Sequence, residues 1–106
     1  MISIDDFGKL DLRVAEILEI DDHPNADRLY VMRVKVGDEE RTIVAGIKKH
    51  YIKEELIGKK IIIVANLEPA KLRGVESSGM LLAASDKEDV VLVTIDKDIE
   101  SGTKIG

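Results

Sequence analysis

The stretch Leu29-Tyr-Val-Met-Arg-Val-Lys-Val-Gly-Asp-Glu-Glu-Arg-Thr-Ile-Val-Ala45 alternates. Tyr30, Met32, Val34 and Val36 recur at every second position, which puts them on one face of a strand over Leu29–Val36. Gly37-Asp-Glu-Glu supplies turn chemistry, and Arg41–Ala45 follows as a return strand, so the stretch reads as an antiparallel hairpin. Upstream, Leu12, Val14, Leu18 and Ile20 share one parity, with Arg13, Glu16 and Glu19 interleaved. They predict a long first strand, with a bend or bulge at Ile17 where the alternation breaks. Asp21-Asp-His-Pro-Asn-Ala-Asp27, between the two, is dense in turn formers.

Downstream, residues 46–58 contain Lys53-Glu-Glu-Leu56 and end on Gly58, a short helix or turn closed by glycine. Lys60–Ala65 is nearly all β-branched, as a buried fourth strand would be. Asn66–Gly74 reads as an irregular loop, Gly79–Ala84 as a fifth strand, and Val90–Ile95 as a sixth. Ile4–Leu10 suits one helical turn. No repeat, low-complexity tract or linker interrupts the chain, so residues 1–106 are expected to form one domain. Five short strands with a small helix between the third and fourth describe an all-β, five-stranded Greek-key barrel of the OB type, with short helical turns and N- and C-terminal extensions. A small sandwich is the alternative.

Composition narrows the chemistry. The 106 residues include no Cys, no Trp and only two His, so a disulfide scaffold, a thiolate metal site and a His-built metal centre are all unexpected. No cofactor is expected either. No apolar run approaches the ~20 residues of a membrane span, and Met1-Ile-Ser-Ile-Asp-Asp lacks a signal peptide's basic start. A cytoplasmic protein is the expectation. Charged residues make up 35%, Gln is absent and Asn occurs only at positions 25 and 66, a bias found in hyperthermophile proteins.

The net charge of −5 is unevenly spread. Residues 1–40 carry 5 basic and 11 acidic side chains, a balance of −6. Residues 41–75 carry 8 basic and 3 acidic, a balance of +5, and residues 76–106 carry 3 basic and 7 acidic, a balance of −4. A basic middle between acidic ends can present one local anion site while the remaining surface repels polyanions. A solvated pair of strands that simply carries lysines would look the same.

Two segments hold the specific information: His23-Pro-Asn-Ala-Asp-Arg-Leu-Tyr30, and Asn66-Leu-Glu-Pro-Ala-Lys-Leu-Arg-Gly-Val-Glu-Ser-Ser-Gly-Met-Leu-Leu-Ala-Ala84. With Asp11-Leu-Arg-Val-Ala15 and Ile43-Val-Ala-Gly-Ile47, they make the chain resemble the tRNA-binding domain family over roughly residues 5–105. That domain occurs as a free-standing dimeric tRNA-binding protein and as the C-terminal extension or separate β subunit of methionyl-tRNA synthetase. The resemblance implies a tRNA surface built from Arg28, Asn66, Lys71, Arg73, Ser77 and Met80. The cations would meet phosphates, and arginine can also stack or bind two oxygens at once. Asn66 has a donor and an acceptor for a base edge or a 2′-hydroxyl, Ser77 is a small donor, and Met80 is a flexible apolar platform for an unstacked base. Arg28 and Glu68 stand where relatives commonly carry Lys, so one cation is kept and one is lost.

Each of these residues also has a plainer role open to it. Asn66 could close a turn, Met80 could be core, Ser77 could be an ordinary loop residue, and His23 before Pro24 could shape its turn. Lys48, Lys49 and His50 are expected to be exposed beside the basic face. The chain shows no Ser-His-Asp order, no Gly-rich phosphate loop and no metal-ligand set, so an active site of its own is not expected. The expected function is non-catalytic, structure-specific tRNA binding, free-standing or in trans as a methionyl-tRNA synthetase β subunit. A protein-interaction or export-chaperone domain of related fold is the alternative, weakened because those chaperones lack the Asn66–Arg73 style of loop. Apolar Val90–Ile95, Ile99, Ile105, Ile2, Ile4 and Phe7 exceed what a minimal barrel buries, which predicts a homodimer.

Overall fold

In the computed structural model, which describes all 106 residues, the chain opens on a capped turn. The Ser3 hydroxyl accepts the Asp6 amide at 3.1 Å and starts helix α1 (Ile4–Phe7). Strand β1 (Leu12–Asp22) then runs the length of the sheet. It pairs antiparallel with β2 (Tyr30–Val36), which turns through Gly37-Asp38 into β3 (Glu39–Ala45). The return strand thus begins two residues earlier than the turn chemistry suggested. Gly37, at φ 65°, takes the left-handed backbone of a two-residue hairpin loop, which leaves Glu39 free to pair with Val36.

The first strand differs from its expected parity in a telling way. The register slips between Ile17 and Glu19, which leaves Leu18 as the unpaired extra residue of a bulge. Before it, Ala15 and Ile17 point into the core; after it, Ile20 does. Leu18 is only half-buried, while Ile17, which broke the sequence pattern, is fully buried. Leu12 and Val14 sit on the opposite face, where the C-terminal segment covers them.

Helix α2 (Lys53–Leu56) starts where the Glu55 carboxylate accepts the Ile52 amide at 2.9 Å, and its Leu56 plugs the core beside Ile47. Strand β4 (Lys60–Val64) pairs with the first half of β1. Residues 66–74 are not wholly irregular: β5 (Ala70–Leu72) and β6 (Val75–Ser77) make a short hairpin. The expected fifth strand is split. β7 (Met80–Leu81) pairs with β4, and β8 (Ala83–Ser85) pairs with β9 (Val90–Leu92). Leu82 is the hinge: its amide still donates to Ile62, while its carbonyl already accepts from Val93. Beyond Leu92 the expected strand is lost, because Thr94 uses its hydroxyl to reach the Lys60 carbonyl instead of extending a ladder. β10 (Lys104–Ile105) pairs with Leu12 and Arg13, on the side of β1 that β2 leaves free.

The main sheet therefore runs β3-β2-β1-β4-β7 and curls until its two edges meet. The seam is narrow. The Ser78 amide donates to Thr42 at 2.8 Å, and the Ser77 hydroxyl accepts the Val44 amide at 3.0 Å. Ile17, Met32, Val34, Ile43, Ile61 and Ile63 fill the interior of this OB-like barrel. Fully burying each such side chain is worth about 1.5–3 kcal/mol. No helix is long and apolar enough to cross a membrane.

Candidate functional site

Two loops interlock at one end of the barrel. The first, residues 23–29, joins β1 to β2; the second is the β5–β6 hairpin, whose turn is Arg73-Gly74. Both turn residues have positive φ, 55° and 94°, as a type I′ turn requires. Arginine is uncommon in that conformation. The junction is cross-braced by hydrogen bonds. His23 is buried, and its Nδ1 accepts the Asn25 amide at 3.0 Å. That bond leaves the ring proton on Nε2, which donates to the Leu72 carbonyl at 2.8 Å. The Asn25 amide group donates to the Arg73 carbonyl, and the Arg73 guanidinium donates to the Asn25 carbonyl, both at 3.4 Å.

The result is a shallow recess shared by Arg28 from the first loop and Arg73 from the second, with Asp27 on the same wall. Lys71 lies exposed on β5, one residue before the His23 contact. Arg28, Lys71 and Arg73 form no ion pair within 4 Å. In contrast, Arg13, Arg33 and Arg41 are all paired with carboxylates. Lys48 and Lys53 share Asp22, and their hydrogen bonds, Lys48 first, hold its carboxyl below the ordinary value of 3.8. Lys48 is therefore half-buried and occupied, not a free extension of the basic face, while Lys49 and His50 are exposed as expected.

The other expected site residues fall into two kinds. Met80 is 50% exposed on β7 and stands opposite Val64 of β4. Asn66 follows two residues beyond Val64. Its Oδ1 accepts the Asp11 amide at 2.8 Å and its Nδ2 donates to the Lys9 carbonyl at 2.7 Å, so it pins residues 9–11 to the end of β4. It keeps one N–H and one lone pair free at an exposed position. Ser77 is buried, and its hydroxyl is spent twice, accepting from Val44 and donating to Gly79 at 3.0 Å. It supports the surface from below and presents no free donor to a ligand. The structure thus brings Arg28 and Arg73 together, puts Lys71 on the same hairpin, and sets Met80 and Asn66 along the adjoining β4–β7 edge. His23 and Asn25 carry the junction, which sequence reasoning reduced to a turn. The signal was the pairing of two polar side chains with Pro24 in a loop that also carries a cation. No group of three His, Asp or Glu side chains is arranged to hold a metal ion.

Known proteins share the sequence family and the fold of this chain. Residues 12–104 match the family described as "Putative tRNA binding domain". A methionine–tRNA ligase of Thermococcus kodakarensis is 61% identical over 104 residues, which is 98% of this chain and 14% of that protein. The chain thus spans about one seventh of the length of that relative. Among solved structures, a MetRS-related protein from Pyrococcus horikoshii superposes with a TM-score of 0.93 at 36% identity, covering 100% of this chain and 98% of the other. The CsaA chaperone protein from Picrophilus torridus superposes equally well, with a TM-score of 0.93 at 37% identity over 100% of both chains.

Proposed function

The chain belongs to the tRNA-binding domain family, and from that premise we propose that it binds folded tRNA through the Arg28–Arg73 junction, with no chemistry of its own. The observation that carries the reading is the set of three cations left without carboxylate partners on two braced loops. Arg28, Lys71 and Arg73 meet phosphates; Arg28 and Arg73, facing one recess, can grip neighbouring oxygens. Met80 offers an apolar platform to an unstacked base, and Asn66 offers its spare N–H and lone pair to a 2′-hydroxyl. Ser77 contributes by holding the hairpin in place. So small a face reads the shape of tRNA more than its sequence. The resemblance to methionyl-tRNA ligases supports a cytoplasmic protein that delivers tRNA to methionyl-tRNA synthetase, in trans as a β subunit or as a free-standing binder.

One face of this size gives limited affinity, and a homodimer would raise it through effective concentration. Ile4, Phe7, Leu10 and Ile105 line an apolar recess between α1 and β10, and Val91, Val93 and Ile99 are also exposed. Light scattering at micromolar concentration should give twice the 11.7 kDa chain mass, and Val91→Asp or Phe7→Asp should reduce it. A monomer in the unmodified protein removes the dimer.

A second reading, polypeptide binding, draws support from the full-length match to a CsaA chaperone and from the same apolar surface. Salt-dependent binding separates the two. If three cations meet phosphates, log affinity for tRNA should fall with log salt at about 0.7–0.9 per contact, and Arg73→Ala or Lys71→Ala should each flatten the slope by about one unit. Binding of an unfolded polypeptide with no measurable tRNA affinity would replace the tRNA reading.

A further inference from the structure

We propose that His23 is the positioning residue of the tRNA face, acting as a strut that fixes the distance between its two loops. This rests on the tRNA reading above. The two arginines that share the recess sit on segments 45 residues apart in sequence, and neither segment belongs to the main sheet. Their relative placement therefore depends on what joins the loops. Three hydrogen bonds do so directly. Two of them, between Asn25 and Arg73, are exposed and 3.4 Å long. The third, from His23 Nε2 to the Leu72 carbonyl, is 2.8 Å long and made by a side chain only 6% exposed. A short bond made by a buried group constrains more than long bonds at the surface. The other ring nitrogen is fixed as well, since it accepts the Asn25 amide at 3.0 Å. One imidazole thus sets the shape of its own loop and the height of the neighbouring hairpin.

The two nitrogens can be tested apart. An asparagine at position 23 reproduces the Nδ1 acceptor and lacks the reach to Leu72. A glutamine reproduces the Nε2 donor and lacks the local acceptor. His23→Asn should keep the fold and weaken tRNA binding about five- to tenfold, the effect of losing one buried hydrogen bond that holds the binding geometry. Its salt slope should stay that of the unmodified protein, because no phosphate contact is removed. His23→Gln, which keeps the bond to Leu72 and loses the one to Asn25, should bind clearly better than His23→Asn, with about half its loss or less. In the unmodified protein, imidazole ¹⁵N shifts should report the Nε2–H tautomer. Equal binding by His23→Asn, equal loss in both variants, or an Nδ1–H tautomer overturns the strut. If His23→Asn fails to fold, the tautomer and the His23→Gln affinity still decide the matter. Failure of the unmodified protein to bind tRNA at all overturns the tRNA reading together with the strut, whereas normal binding by both variants overturns only the strut.

Discussion

Arg73 occupies a backbone conformation that favours Gly or Asn, at φ 55° in a two-residue turn followed by Gly74. A non-glycine residue held there costs on the order of 1 kcal/mol, and such strain is found where function requires the side chain. Arg73→Asn should therefore raise stability by roughly 0.5–1 kcal/mol, read as a higher melting temperature, while tRNA affinity falls. A lower melting temperature would mean that the guanidinium bond to Asn25 matters more than the turn. Met80 is the reverse case. Half-exposed on β7, it should tolerate Ala at a cost of less than about 1 kcal/mol, below the 2–5 kcal/mol of a buried methionine, while tRNA binding weakens. The exposure of Arg28, Lys71 and Arg73 was legible in the sequence, because cations in turn-rich segments have no core to enter. Ser77 and His23 were not, because a serine or histidine looks alike on paper whether its polar atoms face water or a buried carbonyl.

At the level of elements, the barrel closes through side chain as well as backbone. Between β3 and β6, the Ser77 hydroxyl fills the place of a ladder acceptor for the Val44 amide. Ser77→Ala leaves that buried amide without a partner and should cost about 1–3 kcal/mol, measured by denaturant unfolding. Ser77→Thr, which keeps the oxygen, should cost less if the extra methyl is accommodated. The hairpin of Tyr30–Ala45 was plain in the sequence because one face is core and the other solvent, which imposes period two. The β5–β6 hairpin carries no such pattern. All three residues of β5 are exposed, so nothing in their hydrophobicity marks a strand. In β1, parity misled because a bulge at Leu18 exchanges the faces halfway along. A bulge adds one residue without changing residue type, and its position is set by the partner strand.

Across the whole molecule, charges tie the ends and loops to the barrel. Lys60 holds Asp98 at 2.8 Å and also donates to the Ile99 carbonyl, which anchors the C-terminal segment to β4. The Lys60 hydrogen bond lowers the Asp98 carboxyl below 3.8, as Lys48 and then Lys53 do for Asp22. A carboxyl whose folded value is depressed stabilises the fold above its unfolded value, and that contribution is lost as pH falls through the lowered value. Between about pH 5 and about pH 2, Asp22→Asn/Asp98→Asn should lose less stability than the unmodified protein, although it starts lower. Identical acid profiles would show that neither pair matters in solution. Beyond these pairs, the last strand closes the molecule on its first: Ile105 lies opposite Leu12, and the Val14 amide donates to Thr103 while its carbonyl accepts from Gly102. During synthesis, then, β1 is made well before its final neighbour. At about 5–20 residues per second, the 93 residues from Arg13 to Ile105 take roughly 5–20 s to add, and for that interval this edge of the nascent strand stays open.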